Sequence, residues 1–169
     1  MNLDKTTSDK PQRLYRPNVA VVVVSSRYPD ICEVLIAKRI TTKKKTIKAW
    51  QFPQGGIEPT ETDLEAMDRE LLEEIGTNDV TILAKFPRKV RYDFPRKIVG
   101  KMGDYIGQEQ QYYLVKLNSG AKVDIDTAEP EFQSYKFVPY KKIFDYVATF
   151  KRTNYRQVLN YFRDEGYLS

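Results

Sequence analysis

The 169-residue chain contains no histidine and a single cysteine, Cys32. Without histidine there can be no serine–histidine or cysteine–histidine pair, and most zinc chemistry is closed as well. One cysteine excludes an internal disulfide and fits a reducing cytosol, so Cys32 reads as an ordinary strand residue. No apolar run approaches the ~20 residues needed to span a membrane. The opening MNLDKTTSDKPQRL is polar and lacks the apolar core of a secretory signal. These absences predict a cytoplasmic protein without a membrane partner, in which carboxylates must carry any catalysis.

Carboxylates are concentrated in one stretch, Gly55 to Thr77, GGIEPTETDLEAMDRELLEEIGT. Gly55 and Gly56 suit a turn at positive φ and the close approach of a ligand. Thr62 followed by Glu65 has the form of a capping box, so a helix should begin near Asp63. Leu64, Met67, Leu71 and Ile75 then make one apolar stripe, and Gly76 is the stop signal. Glu70, Glu73 and Glu74, at i, i+3 and i+4, project from one face beside that stripe. Three like charges so close raise one another's pKa unless a cation sits among them. A hard divalent ion such as Mg²⁺ takes oxygen ligands of this kind. A solvated acidic face is the alternative, but seven positions bear on it: Gly55, Glu61, Arg69, Glu70, Glu73, Glu74 and Gly76. At ordinary residue usage such a set coincides by chance on the order of once in 10⁸ trials or fewer.

Those positions resemble the Nudix box, G-x5-E-x7-R-E-U-x-E-E-x-G-U, at every charged and glycine position; only Thr77 departs, in the final aliphatic slot. The resemblance implies an α/β fold, an α/β/α sandwich around a mixed sheet, and metal-dependent hydrolysis of a nucleoside diphosphate linked to something else. It implies that Glu70, Glu73 and Glu74 hold the metal with help from the Gly55 carbonyl. Arg69 would orient the carboxylates, with Glu61 as its partner.

Along the rest of the chain, residues 1–14 read as a disordered tail and 15–169 as one domain. Tyr15 opens a strand whose Val19–Val24 run is the near-continuous β-branched type buried in a sheet. Ser25–Asp30 is a turn, and residues 33–38 form a second strand, paired with the first as a hairpin. Residues 38–49 are strongly basic without a single acid. They are either a solvated loop or a segment beside the site that attracts phosphates. Trp50 and Phe52 read as core or loop anchors. Further strands are expected at 80–86, 108–116 and 132–138, with a helix carrying Ile143, Phe144, Val147 and Phe150 and another at about 153–165. The net charge is 28 − 23 = +5 although the motif is acidic. The positive charge therefore lies elsewhere, including seven Lys/Arg against one acid between Lys85 and Lys101. Basic segments interleaved with Tyr92, Phe94 and Phe150 point toward nucleic acid.

The blocks YRPNV, WQFPQGG, RYDFP, IGQEQQYYLV, PEF and FKRTNYRQV occur in that order. Together they are similar to the bacterial RNA 5′-pyrophosphohydrolases, also described as dinucleoside polyphosphate hydrolases. That resemblance covers about residues 15–167 and brings Glu131 into the metal site as a candidate base. It also implies that Arg16, Arg39, Gln54, Tyr92, Phe150 and Lys151 hold the substrate. The lysine-rich 40–49 segment departs from the pattern.

The implied mechanism uses Mg²⁺, with Mn²⁺ or another divalent metal as the alternative. Glu131 or Glu74 would take a proton from water, with Glu73 and Arg69 completing the catalytic set. Three functions follow as alternatives: removal of pyrophosphate from single-stranded RNA 5′ ends, hydrolysis of dinucleoside polyphosphates, and a non-catalytic sensor. The intact set of box residues argues against the sensor. A monomer is expected.

Overall fold

The computed structural model describes residues 14–40, 49–97, 99–101 and 103–169. Eight strands form one mixed sheet: β1 (Tyr15–Val24), β2 (Val34–Arg39), β3 (Trp50–Gln51), β4 (Gln54–Gly56), β5 (Val80–Lys85), β6 (Val90–Asp93), β7 (Gly107–Leu117) and β8 (Phe132–Val138). Among the described residues two helices pack against it, α1 (Asp63–Ile75) and α2 (Thr149–Asp164), and a 3-10 helix, Tyr140–Asp145, leads into α2. Most of the expected disordered tail and residues 41–48 of the basic segment lie outside the described residues. Leu14 is described, and its carbonyl accepts from Ile106 N at 2.8 Å.

The centre of the sheet follows from the Val19–Val24 run. Alternate residues of a strand face opposite sides. Val19, Val21 and Val23 pack with Ala66, Met67, Leu71 and Ile75 of α1, whereas Ala20, Val22 and Val24 pack with Val158, Leu159 and Phe162 of α2. The strand is apolar on both faces because both faces are covered. Each valine so buried contributes roughly 1.5–3 kcal/mol. β1 runs parallel to β7 for ten residues, from Tyr15 opposite Gly107 to Val24 opposite Lys116.

Several expectations are corrected. β1 and β2 do pair antiparallel, but only at Val24 and Val34; beyond that point β4 takes Asn18–Ala20 of β1 and β3 takes Ala37–Lys38 of β2, so the expected hairpin is a single contact. Cys32 lies in the connection before β2, half-buried against the core, rather than in a strand. The helix expected around Ile143 to Phe150 is the short 3-10 turn, and α2 starts at Thr149 rather than near Thr153. Three short strands were not expected: β3, β4 and β6. All are too short for a periodic pattern to show, and all border the site.

Helix α1 begins and ends where its signals stand. Thr62 Oγ1 accepts from Glu65 N at 3.2 Å, and Gly76 closes the helix at φ 73°. Leu64 leaves the apolar stripe, however, and is exposed; Ala66, Glu70 and Glu74 join Met67, Leu71 and Ile75 in the buried face. Gly55 and Gly56 sit in β4 without positive φ. What they supply is room: a Cβ on Gly55 would collide with the Glu70 carboxyl, and one on Gly56 with the Arg16 guanidinium.

Candidate active site

The Gly55 contact carries the acidic helix hard against β4, and the carboxylates sort by depth. Glu74 is 1% exposed and Glu70 6%, while the Glu73 side chain is half open to water. Arg69 ties the group together. Its Nε donates to Glu61 Oε2 at 3.1 Å and Nη2 to the Gly56 carbonyl at 2.9 Å, with a further contact to Glu61 Oε1. Nη1 donates to Glu70 Oε1 at 2.8 Å and Glu73 Oε2 at 3.3 Å. Only a planar five-donor fork can serve so many acceptors at once. The arginine is held further above its usual value, first by Glu61 and then by Glu70, and Glu61 is pulled down by the same bond.

Glu74 is the unusual member. Its Oε2 accepts from Gln54 N at 3.2 Å, and its Oε1 is buried with no hydrogen-bond partner. Burial, then the charges of Glu131 and Glu70, push it up to about 10. Glu70 is also raised, chiefly by burial, against the pull of Arg69. An orphaned carboxylate oxygen among two further carboxylates is the donor set a hard cation wants, so the residues fit a divalent metal. Among the described residues no three acidic groups converge on one point, and Arg69 holds Glu70 and Glu73.

Next to these groups opens a cleft of about 580 Å³. Its walls come from elements far apart in the chain. The β1–β7 register sets Arg16 beside Gln108 and Asn18 beside Gln110. β6 adds Tyr92 opposite Gln108, and its hydroxyl donates to Gln108 Oε1 at 3.0 Å. Arg39 ends β2 opposite Phe132, and the Glu131 carbonyl accepts from Ile40 N at 2.9 Å. The first turn of α2 brings Phe150 and Lys151, braced by Asn154 donating to the Arg91 carbonyl at 3.0 Å.

All six residues expected to hold substrate line this one cleft: Arg16, Arg39, Gln54, Tyr92, Phe150 and Lys151. Gly55, Glu70 and Glu131 line it too. Glu73 instead borders a neighbouring hollow of about 470 Å³ on the far side of Glu131, and Glu74 lies beneath the surface. The Tyr92 and Phe150 rings are 5.6 Å apart at 45°, with Phe94 6.0 Å beyond Tyr92. Burial drives the Tyr92 hydroxyl up to about 12, against the nearby Arg39 and Arg16 charges, so it stays a neutral donor. Lys151 Nζ donates to Gln51 Oε1 at 3.0 Å; burial, helped by Arg39, brings it down to about 8.

Sequence reasoning missed Asn18, Gln51, Gln108 and Gln110. Each is less than 5% exposed, and all four line the cleft or support it. A signal was there: GQEQQ is polar at positions of β7 where a doubly covered strand should be apolar.

Known proteins resemble this chain over most of its length. The NUDIX domain matches residues 14–162. The RNA pyrophosphohydrolase of a Nitratiruptor species is 55% identical over 92% of this chain and 98% of its own length. The RNA pyrophosphohydrolase of Helicobacter pylori is 50% identical over 91% and 97%. Among solved structures, the E. coli dihydroneopterin triphosphate pyrophosphohydrolase superposes with a TM-score of 0.63 at 18% identity, covering 85% of this chain and 96% of that one; at that identity it speaks for the fold alone. The family match begins one residue before β1 and ends inside α2, leaving almost nothing of the sandwich outside it, and this chain therefore belongs to the NUDIX domain family, as a hydrolase of pyrophosphate bonds.

Proposed function

We propose that the chain is a bacterial RNA 5′-pyrophosphohydrolase. It removes pyrophosphate from a 5′-triphosphate end, or phosphate from a 5′-diphosphate end, to leave a 5′-monophosphate and so open the RNA to decay. The observation that carries this reading is the cleft. Arg16, Arg39 and Lys151 supply positive charge for a polyphosphate within one wall system that also presents the Tyr92–Phe150 ring pair. Ring pairs of this kind take unpaired bases, so single-stranded ends are preferred. Relatives named RNA pyrophosphohydrolase, 48–55% identical over most of the chain, support the same substrate.

Divalent metals serve Nudix hydrolases generally. Here Glu70, Glu73, Glu74 and Glu131 would hold Mg²⁺, or Mn²⁺ in its place, with the Gly55 carbonyl as a further ligand. Bound there, the metal supplies an acidified water and neutralises charge on the phosphates. The protein's own residues do the rest. Arg69 keeps the carboxylates in place through four acceptor groups, Glu61, Glu70, Glu73 and the Gly56 carbonyl. Glu131 is the better candidate base: it is exposed on the rim shared by both hollows, whereas Glu74 is sealed beneath Gln54. Arg16, Arg39 and Lys151 hold the phosphates in line. The enzyme acts in the cytoplasm as a monomer.

The test is release of label from γ-³²P RNA with an unpaired 5′ end, in Mg²⁺, against Ap4A as competitor. Release that EDTA abolishes and Ap4A barely inhibits is expected. Efficient Ap4A cleavage without release from RNA would move the function to dinucleoside polyphosphates. Elution at twice the monomer mass on size exclusion would overturn the monomer.

A further inference from the structure

The carboxylates, cations and rings do not account for every polar group in the cleft. Asn18 is 1% exposed, yet its Nδ2 has no hydrogen-bond partner, and the residue lines the cleft wall. A buried amide donor with nothing to serve pays the desolvation penalty without return, so its orientation requires a cause.

The cause is a chain of three hydrogen bonds. Tyr112, fully buried, donates its hydroxyl proton to Gln110 Oε1 at 2.7 Å. Gln110 Nε2 then donates twice, to Asn18 Oδ1 at 2.8 Å and to Gln54 Oε1 at 2.7 Å. Every donor and acceptor on Gln110 has a defined direction. Reversing its amide would face Nε2 to the tyrosine oxygen and strip the hydroxyl proton of the acceptor it has here. Tyr112 burial therefore selects one polarity for all three amides. With both of their oxygens turned to Gln110, Asn18 and Gln54 have N–H groups left to offer.

That polarity says what the pair can bind. Two amide NH₂ groups serve only acceptors, and with their oxygens committed they are not metal ligands. Asn18 sits opposite Gly56 in the β1–β4 register, and the Arg16 guanidinium packs on that same glycine. Donors flanked by a fixed cation suit an anionic oxygen that accepts without donating. A phosphate oxygen meets that description; a base edge, with its mixture of donors and acceptors, does not.

We propose that Tyr112 and Gln110 are positioning residues that turn the amide oxygens of Asn18 and Gln54 inward and leave their donors uncommitted, and that Asn18 Nδ2, closed to water in the empty cleft wall, takes a non-bridging oxygen of the substrate's polyphosphate when it enters. This deepens the function proposed above and rests on it for the identity of the polyphosphate. The relay lets the enzyme hold a highly charged group partly through neutral donors, which leave the cations free for neighbouring phosphates.

The test is calorimetric binding of imidodiphosphate, a pyrophosphate analogue resistant to hydrolysis, in Mg²⁺, together with steady-state kinetics on triphosphorylated RNA. Asn18→Ala removes the donor and is expected to weaken imidodiphosphate about tenfold, the scale of one hydrogen bond to a charged group. Tyr112→Phe keeps the ring and removes the hydroxyl whose proton sets the polarity; it is expected to weaken binding about threefold. In both variants KM rises by the same factors while kcat stays within about twofold, a split that general loosening of the core would not produce. Affinity unchanged in both variants, or kcat falling while KM holds, would overturn the proposal, as would failure of the wild type to bind imidodiphosphate. Should Asn18→Ala not fold, Tyr112→Phe decides alone. If the wild type ignores triphosphorylated RNA but the affinity shifts appear, the RNA reading fails and the relay stands. Normal RNA turnover with unchanged affinities sinks the relay alone.

Discussion

Replacing Glu74 by glutamine should stabilise the metal-free enzyme while destroying its activity. The carboxyl is 1% exposed, one of its oxygens has no partner, and burial with Glu131 and Glu70 pushes it up to about 10 from an ordinary 4.5. A carboxyl raised in the folded state adds full stability below about pH 4.5 and loses it as pH climbs toward about 10, because the unfolded chain releases the proton first. At pH 7 the gap above 4.5 is about 2.5 pH units, and at ~1.36 kcal/mol each that is about 3 kcal/mol. Glutamine has no proton to lose, keeps the acceptor for Gln54 N, and turns its NH₂ toward Glu70 or Glu131. For a chain of this length ~3 kcal/mol is roughly 6–12 °C in Tm. Melting curves in EDTA from pH 4.5 to 9 provide the assay. The two proteins should melt together near pH 4.5, and the variant should gain steadily above it. Saturating Mg²⁺ should narrow or reverse the gap, since the wild type alone has the full carboxylate set to bind it, and turnover in the variant should be down by orders of magnitude with RNA binding largely kept. A variant that melts with or below the wild type in EDTA at pH 7, or a gap independent of pH, would refute the reasoning.

Other consequences of the structure are open to the same kind of check. Gly55→Ala puts a methyl group into the Glu70 carboxyl, so kcat should fall more than about tenfold in a protein whose circular dichroism is unchanged. Arg69→Lys exchanges a fork serving four acceptor groups for a point charge; a stability loss of about 1–3 kcal/mol by urea titration is expected, along with weaker Mg²⁺ binding by calorimetry. Phe150→Ala removes one ring of the stacking pair and should raise KM for RNA about tenfold while leaving imidodiphosphate affinity untouched. Because Lys151 is brought down to about 8, it loses its charge as pH rises through that value. KM for RNA should climb above pH 8, and Lys151→Arg should flatten the climb.

Some of this was legible in the sequence for a definite reason. Arg69, Glu70, Glu73 and Glu74 lie within six residues on one helix, so the 3.6-residue repeat alone sets their relative directions. The same repeat misjudged depth. It set Leu64 in the apolar stripe, but Leu64 is exposed, and it left Glu70 and Glu74 merely beside the stripe, whereas both are buried. The repeat knows which residues share a face; it does not know that Gly55 on β4 lets that face close down until carboxylates go under. The β1–β2 hairpin was cut short, since adjacency in sequence suggested a full pairing whereas β3 and β4 take the facing edges beyond Val24 and Val34.

What the chain determined by itself was local: the start and stop of α1, the doubly buried character of β1 and the array of acidic groups, each set by short-range sterics and periodicity. The tertiary structure decided everything that depends on chain segments meeting. It joined β1 to β7 in parallel, brought Arg16 to Gln108 and Asn18 to Gln110 across 92 residues, and set the Tyr92 ring against Phe150. The polarity of the Asn18 and Gln54 amides also belongs to that second class. An amide side chain has no preferred direction of its own; it takes one from its partners, and here the partner that chooses is a tyrosine hydroxyl closed inside the core.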